Sequence, residues 1–201
     1  MIDKVSKTAN RYGNDINPFV IAMFSQIQKG WIPPDNVTED EYKGLMRDSK
    51  ISNFPENHMA MIGFVGIGCS YSGKFFGGYA RGNDDKGNPR NYCLESKNNL
   101  LKQDIENIQF TCGNYQEMKI PECDTIIYCD PPYAGTTKYK DGFDHTAFWL
   151  WCDEQVAKGH KVFVSEYNAP EGWKCIWEKQ VNNSLTKDTG SKKGIERLFT
   201  K

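Results

Sequence analysis

The residues best suited to chemistry are Asp130-Pro131-Pro132-Tyr133, which directly follow the apolar run Thr125–Cys129. The apolar run predicts a buried strand, and in open α/β sheets ligands bind beyond the carboxyl ends of the strands. The two prolines fix φ, bias the preceding residues towards extended geometry and remove backbone donors while leaving the carbonyls available. The sequence therefore predicts a rigid, acceptor-rich edge that carries one carboxylate and one aromatic ring.

Such an edge suits an exocyclic amine on a nucleobase, which has two N–H donors and a lone pair delocalised into the ring. If the Asp130 side chain and the Pro131 carbonyl accept both hydrogens, the lone pair is localised on nitrogen and directed at an electrophile. Tyr133 would stack on the base, a contact worth about 1–3 kcal/mol, and a base within a duplex would have to be flipped out to reach it. The alternative interpretation is a turn that only ends a strand.

Around this motif, apolar spacing predicts helices that alternate with strands. Helices are predicted over Asn17 to Lys29, residues 39–47, Leu94 to Ile108 and Thr146–Lys158. Strands are predicted over Ile108–Cys112, Thr125–Cys129, Lys161–Ser165, Lys174–Lys179 and Ile195–Thr200. Thr38 and Glu41 fit a capping box, His58 to Ile67 is apolar without a clear type, and residues 71–92 predict a long loop. The alternation predicts an α/β fold with a mostly parallel sheet and an antiparallel C-terminal edge.

Composition narrows the class of protein. The 201 residues include 25 basic and 26 acidic ones, and the formal charge of −1 argues against a globally basic nucleic-acid coat while leaving a local basic face open. The sequence has no apolar run near the roughly 20 residues of a membrane span and no hydrophobic secretory signal. Seven cysteines without a C-x-x-C pair predict reduced thiols in a cytoplasmic protein and no structural metal.

The strand followed by Asp-Pro-Pro-Tyr resembles the catalytic motif of S-adenosylmethionine-dependent amino methyltransferases, whose aspartate form is typical of DNA adenine-N6 enzymes. The wider run from Ile127 to Tyr139 resembles the Dam-type DNA adenine methyltransferases, especially short phage and prophage members. Other segments match the family in the same order: 14–17, 66–74, 77–81, 164–168, and 184–193 followed by 196–199. The likeness therefore covers nearly the whole chain.

This resemblance implies a Rossmann-like methyltransferase sheet as the catalytic core, formed by residues 1–49 and 96–201. It implies a small target-recognition insertion that contacts DNA, over residues 50–95. The implied cofactor is S-adenosyl-L-methionine and the implied partner is double-stranded DNA, with no metal and no membrane, in a bacterial or phage-infected cytoplasm. The resemblance leaves the recognition sequence and the oligomeric state open.

Site residues follow from the same resemblance. Catalysis is assigned to Asp130, Pro131, Pro132 and Tyr133. Cofactor binding is assigned to Asp15, for the ribose hydroxyls, and to Asn114, Tyr115 and Asp130. DNA contact is assigned to Tyr71, Ser72, Lys74, Tyr79, Arg81, Lys192 and Lys193. The alternatives are that Asp15 is an ordinary acidic residue at a helix N-terminus, that Asn114 only makes a turn, and that the basic residues belong to a solvated loop.

The sequence departs from the family at its start. Family members carry a strand and a glycine-rich loop ahead of the ribose-binding acid, whereas only Met1–Gly13 precedes Asn14 and Asp15 here. We therefore expect an N-terminally truncated chain that binds the cofactor weakly or not at all by itself.

Two rival functions are also compatible with the sequence. The first is a catalytically inactive, truncated remnant that keeps DNA affinity through its basic and aromatic loop. The second is the same chemistry on cytosine N4, RNA or a protein amide, against which Asp130 argues because motifs of those families more often begin with Ser or Asn.

Overall fold

The computed structural model describes residues 2–51, 53–122, 124–134, 142–182 and 193–201. Within these residues the chain is mixed α/β, with five α-helices and six β-strands. It divides into an N-terminal unit, Met1–Met118, and a C-terminal unit, Lys119–Lys201. The α/β class predicted from the alternation of helices and strands is confirmed.

The N-terminal unit contains four helices and a pair of parallel strands. The helices are α1 (Pro18–Gln28), α2 (Glu39–Asp48), α3 (Glu56–Gly68) and α4 (Tyr92–Leu101). The strands are β1 (Arg11–Asp15) and β2 (Ile108–Cys112), which run parallel with Asp15 opposite Cys112. The sequence of β1 does not predict a strand, and that of α3 is apolar without indicating a type of element.

Side-chain caps begin the first two helices of this unit. The side chain of Asn17 accepts the N–H of Phe19 at 3.0 Å, which starts α1. The predicted capping box is confirmed, because Thr38 Oγ1 accepts the N–H of Glu41 at 3.2 Å while the Glu41 carboxylate accepts the N–H of Thr38 at 2.7 Å. Local sequence thus fixes where both helices begin.

The core of the N-terminal unit centres on α3. Its residues Ile62, Phe64 and Val65 are fully buried, which explains why the segment is apolar without a helical stripe. Gly63 lies against α1 so closely that a Cβ there would overlap the backbone oxygen and carbon of Phe19. The two helices can cross at this distance only because position 63 has no side chain.

The C-terminal unit is a four-stranded sheet with one helix. Its elements are β3 (Ile126–Cys129), α5 (His145–Ala157), β4 (Lys161–Glu166), β5 (Lys174–Asn182) and β6 (Lys193–Thr200). The strand order is β3-β4-β6-β5, with β3 and β4 parallel and β6 antiparallel to both of its neighbours. The predicted antiparallel C-terminal edge is confirmed.

Helix α5 begins at an aspartate cap and ends at a glycine, as its sequence suggests. Asp144 accepts the N–H of Ala147 at 2.9 Å, and Gly159 adopts a φ of 93° after the last turn. The buried residues Phe148, Trp149 and Cys152 lie on this helix, which packs against β4. Among the described helices of both units, none is long and apolar enough to cross a membrane.

Candidate active site

The Asp-Pro-Pro-Tyr tetrapeptide follows the last residue of β3 without a break. β3 and β4 are parallel and Cys129 lies opposite Val164, so the next residues, Asp130 just after β3 and Ser165 near the end of β4, lie at the same edge of the sheet. Polar side chains from two neighbouring strands therefore meet at the carboxyl end of the sheet, where ligands of open α/β sheets bind.

Tyr133 is held by residues at the end of β4. Its hydroxyl lies 2.6 Å from Ser165 Oγ, and its ring contacts the ring of Tyr167 edge-on, with centroids 4.7 Å apart and an interplanar angle of 80°. Desolvation raises the pKa of Tyr133 to about 12, and the hydrogen bond with Ser165 acts in the opposite direction. The phenol therefore keeps its proton at neutral pH and can act as a donor.

Asp130 is exposed to solvent, yet protein atoms around its carboxylate still affect its ionisation. Partial desolvation raises the pKa of Asp130 most, and the charges of Glu196 and Glu166 raise it further. The hydrogen bond with the Tyr133 side chain lowers it. Tyr133 is thus the neighbour that favours the ionised form of this carboxylate.

Glu166 is the buried carboxylate of this edge, with 1% of its surface exposed. One of its oxygens accepts the N–H of Ala134 at 2.9 Å and the other accepts the N–H of Tyr167 at 2.7 Å. His145 Nδ1, at the start of α5, lies 3.8 Å from the first of these oxygens. Glu166 therefore ties the residue after Tyr133 to the end of β4.

No sequence pattern predicts a role for Ser165 or Glu166. The available signal was their position: both are polar and end a strand expected to lie parallel to the strand before Asp130. Sequence spacing alone does not reveal that β4 is the direct neighbour of β3, which is a property of the folded sheet.

The predicted cofactor residues of the N-terminal unit meet at the carboxyl ends of β1 and β2. The N–H of Gly113 donates to the Asp15 carbonyl at 3.1 Å, and the Asn14 amide donates to the Gly113 carbonyl at 3.0 Å. Asp15, at the end of β1, therefore lies beside the segment that leads into Asn114 and Tyr115.

Asp15 and Asn114 also make the local contacts that the alternative interpretations anticipated. An Asp15 carboxylate oxygen accepts the N–H of Asn17 at 2.7 Å, ahead of α1. The Asn114 side chain accepts the N–H of Gln116 at 3.1 Å and caps the short 3-10 turn Tyr115–Glu117. A carboxylate has about four acceptor positions, so Asp15 can make this turn and still accept hydrogen bonds from a sugar diol. This donor and acceptor set fits the ribose of a nucleoside cofactor.

The first three predicted DNA-contact residues lie at an exposed turn. Tyr71 and Ser72 belong to the 3-10 turn Tyr71–Gly73, and Lys74 follows it. All three are exposed, Tyr71 with 50% of its surface accessible. Ser72 has a φ of 57° in the left-handed region, which turns the chain sharply at this point.

Tyr79 and Arg81 make contacts within the N-terminal unit. The Tyr79 hydroxyl donates to the Val37 carbonyl at 2.7 Å, and its ring packs edge-on against Tyr42. Arg81 is exposed, pairs with Glu39 and lies 5.9 Å from the centroid of the Tyr79 ring. Their contact with DNA stays a prediction. Lys192 lies outside the described residues, and Lys193 opens β6.

The described cysteines and acidic residues suggest no metal centre. Six cysteines are free thiols, of which Cys69, Cys93 and Cys152 are buried. Within the described ranges, no three His, Cys, Asp or Glu residues are grouped so that they could hold a metal ion.

Comparison with known proteins links both units to one family. The model of the D12 class of N6 adenine-specific DNA methyltransferases matches residues 71–170, from the exposed turn through the tetrapeptide and β4. The chain is 24% identical over 218 aligned residues to the DNA adenine methylase of Vibrio cholerae serotype O1, covering 91% of this chain and 74% of that protein. It is 30% identical over 118 residues to the Retron Ec67 DNA adenine methylase of Escherichia coli, covering 57% of this chain and 35% of that protein.

Proposed function

The chain belongs to the D12 class of N6 adenine-specific DNA methyltransferases, and on this premise we propose that it methylates adenine N6 in double-stranded DNA with S-adenosyl-L-methionine as donor. The observation that carries the proposal is the position of Asp130-Pro131-Pro132-Tyr133. The tetrapeptide follows β3 directly, lies inside the matched range, and stands beside the polar end of β4.

The residues of this edge perform the steps that the reaction requires of the protein. Bound S-adenosyl-L-methionine supplies an electrophilic methyl group on a sulfonium. The Asp130 carboxylate and the Pro131 carbonyl accept the two N–H groups of a flipped adenine, which localises the nitrogen lone pair for attack. Tyr133 stacks on the purine, and no covalent bond between protein and substrate is needed. The acidic and aromatic surroundings also suit a cationic sulfonium.

The N-terminal unit contributes most of the cofactor and DNA residues in this proposal. Asp15 would accept hydrogen bonds from the ribose hydroxyls, with Asn114 and Tyr115 contacting the adenine of the cofactor. The residues proposed to contact DNA are Tyr71, Ser72, Lys74, Tyr79, Arg81, Lys192 and Lys193. The exposure of the turn at Tyr71 supports this role. The core would be Rossmann-like, with residues 50–95 as the target-recognition insertion.

The test is methyl transfer from S-adenosyl-L-methionine labelled in its methyl group to unmethylated double-stranded DNA, with mass spectrometry of the digested nucleosides. At a cofactor concentration high enough to offset weak binding, we expect N6-methyladenine with the wild-type chain and none with Asp130→Ala. Asp124→Ala, which removes an exposed carboxylate ahead of β3, should retain activity and serves as the matched control.

The same experiment separates the rival functions. DNA binding that weakens with salt, without methyl incorporation at saturating cofactor, would identify a catalytically inactive DNA-binding protein. Label recovered as N4-methylcytosine, in RNA or in a protein amide would move the chemistry to another amine and contradict the proposal.

A further inference from the structure

We infer that Tyr42 is a positioning residue for DNA binding, which acts by closing the base of the loop formed by residues 71–77, the 71–77 loop. The inference deepens the proposed function and rests on it for the partner, because this loop contains Tyr71, Ser72 and Lys74, which are proposed to contact DNA. Tyr42 lies on α2 with 2% of its surface exposed. It is therefore too deeply buried to bind DNA itself and can act only through the loop.

The two ends of the 71–77 loop are joined by hydrogen bonds. The N–H of Tyr71 donates to the Gly78 carbonyl at 2.8 Å. The N–H of Gly78 donates to the Tyr42 hydroxyl oxygen at 3.1 Å, and the same hydroxyl lies 2.8 Å from Ser70 Oγ. One buried phenol thus contacts both the residue before the loop and the residue after it.

The direction of these hydrogen bonds follows from the contacts and from the number of protons. Ser70 Oγ lies 2.7 Å from the Gly66 carbonyl, which can only accept, so Ser70 donates its single proton there. Tyr42 must then donate to Ser70 Oγ, while its oxygen accepts the N–H of Gly78. The chain of hydrogen bonds begins at Gly78 and ends at the Gly66 carbonyl, and each hydroxyl in it donates once and accepts once.

The second half of the loop packs on α3 around the same glycine. The N–H of Phe76 donates to the Gly66 carbonyl at 2.7 Å, and a Cβ at position 66 would overlap the rings of Phe75 and Phe76. The Tyr42 ring contacts the Phe76 ring edge-on, with centroids 5.2 Å apart. The first four residues of the loop are exposed. Removal of the Tyr42 hydroxyl alone would leave this packing in place and open only the base of the loop.

Closure of the loop affects binding because a segment that is ordered beforehand loses less conformational entropy when it binds. Inside the loop, Ser72 has a φ of 57°, a conformation that is costly for residues other than glycine and persists only where surrounding contacts hold it. The hydrogen bonds at Ser70 and Gly78 are such contacts. Without the Tyr42 hydroxyl, the N–H of Gly78 loses its acceptor and the loop can adopt other conformations.

The experiment compares Tyr42→Phe, which keeps the ring and removes the hydroxyl, with Ser96→Ala as the matched control. Ser96 Oγ on α4 donates to the Gly68 carbonyl at 2.7 Å, so the control also removes a hydroxyl hydrogen bond at the end of α3 without touching the chain through Tyr42. Amide hydrogen exchange of Gly78 and Tyr71, followed by NMR without DNA, measures the closure. Fluorescence anisotropy of a labelled DNA duplex over a range of salt concentrations measures binding.

We expect the Gly78 and Tyr71 amides to exchange about tenfold faster in Tyr42→Phe, and the duplex to bind about tenfold more weakly, because a hydrogen bond at the base of the loop is lost. In methyl transfer, KM for DNA should rise while kcat stays unchanged. Adding Lys74→Ala to Tyr42→Phe should weaken binding by less than the product of the two single effects, since both act through the loop. Ser96→Ala should keep the wild-type exchange rates and DNA affinity.

Two results would overturn the inference. One is a Tyr42→Phe variant that binds the duplex as tightly as the wild-type chain does. The other is an equal loss of affinity in Ser96→Ala, which would indicate general destabilisation of the unit. Failure of the proposed function would look different, because the wild-type chain would then transfer no methyl group to adenine. Amide exchange and duplex binding need no cofactor and decide the role of Tyr42 in either case.

Discussion

The buried carboxylate of Glu166 accepts the backbone N–H of Ala134 at 2.9 Å, and so fixes the residue that follows the Asp-Pro-Pro-Tyr motif to the end of β4. Its second oxygen accepts the N–H of Tyr167. Two N–H groups are thus satisfied by two equivalent oxygens. An amide in the same place has only one oxygen to offer.

Glu166→Gln should therefore destabilise the protein and impair methyl transfer. One N–H must face an amide NH2 group, and an unsatisfied buried donor costs about 1–3 kcal/mol. Urea unfolding measures the loss, and the methyl-transfer assay should show a lower kcat. Glu178→Gln, at an exposed carboxylate paired with Arg197, should change stability by less than about 0.5 kcal/mol. Equal effects of the two substitutions would contradict the role given to Glu166.

Tyr133 should make stability depend on pH in the alkaline range. Desolvation raises the pKa of Tyr133 from 10.0 to about 12, so between these values the folded protein retains a proton that the unfolded chain has lost. Stability is then complete below the lower value and falls as pH rises towards the upper one. Urea unfolding across this range should show a shallower decline for Tyr133→Phe. Thr200→Val, which removes a hydroxyl that donates to the Val162 carbonyl in the same sheet, should keep the wild-type decline. If stability fell equally steeply in Tyr133→Phe and the wild type, Tyr133 would not be the cause of the decline.

Asp15→Asn should weaken cofactor binding without disturbing the fold. The asparagine side chain can still accept the N–H of Asn17, which preserves the turn ahead of α1, but it loses the charge that would bind a ribose diol. We expect S-adenosyl-L-methionine to bind about tenfold more weakly by calorimetry, with the melting temperature unchanged. Asp40→Asn on the exposed start of α2 is the control. If Asp15→Asn left the affinity unchanged, Asp15 would form the turn ahead of α1 and would not bind the ribose.

Lys74 and Tyr79 should behave differently although both stand in the predicted DNA-contact set. Lys74→Ala removes an exposed cation and should lower the slope of log affinity against log salt by about one. Tyr79→Phe removes the hydrogen bond to the Val37 carbonyl and should cost about 1 kcal/mol in urea unfolding. Tyr79→Phe should leave the salt slope unchanged, and Lys74→Ala should leave the unfolding midpoint unchanged. If Lys74→Ala lowered stability and Tyr79→Phe lowered the salt slope, the roles given to these two residues would be wrong.

Elements with strong local signals could be predicted from the sequence. Asn17 and Thr38 mark helix starts by side-chain caps, and the apolar run before Asp130 marks β3. The antiparallel C-terminal edge followed from two late strands without a helix between them.

The features that were missed depend on long-range pairing. β1 has the polar sequence Arg-Tyr-Gly-Asn-Asp, and it becomes a strand through its parallel partner β2. Arg11 is buried because its guanidinium donates to backbone carbonyls, that of Asp104 at 3.1 Å among them. Ser165 and Glu166 gain their roles in the same way, since the neighbour of a parallel strand is fixed by the sheet and not by nearby residues.

Gly63→Ala should be strongly destabilising, in contrast to Gly44→Ala at a half-buried position of α2. At position 63 the new methyl group would overlap backbone atoms of Phe19, which cannot rotate away, and overpacking of this kind costs about 1–3 kcal/mol. At position 44 the methyl group would meet only the end of the Arg47 side chain at 4.0 Å. Alanine there should stabilise the helix by about 0.5–1 kcal/mol. Thermal unfolding of both variants checks the contrast.

The close crossing at Gly63 falls on the first turn of α1, immediately after the residues that set the Asp15 carboxylate. A side chain at position 63 would tilt the start of α1 and shift the Asp15 carboxylate at the end of β1. Random mutagenesis aimed at finding residues for cofactor affinity should consequently recover position 63, although a glycine has no side chain with which to touch a ligand.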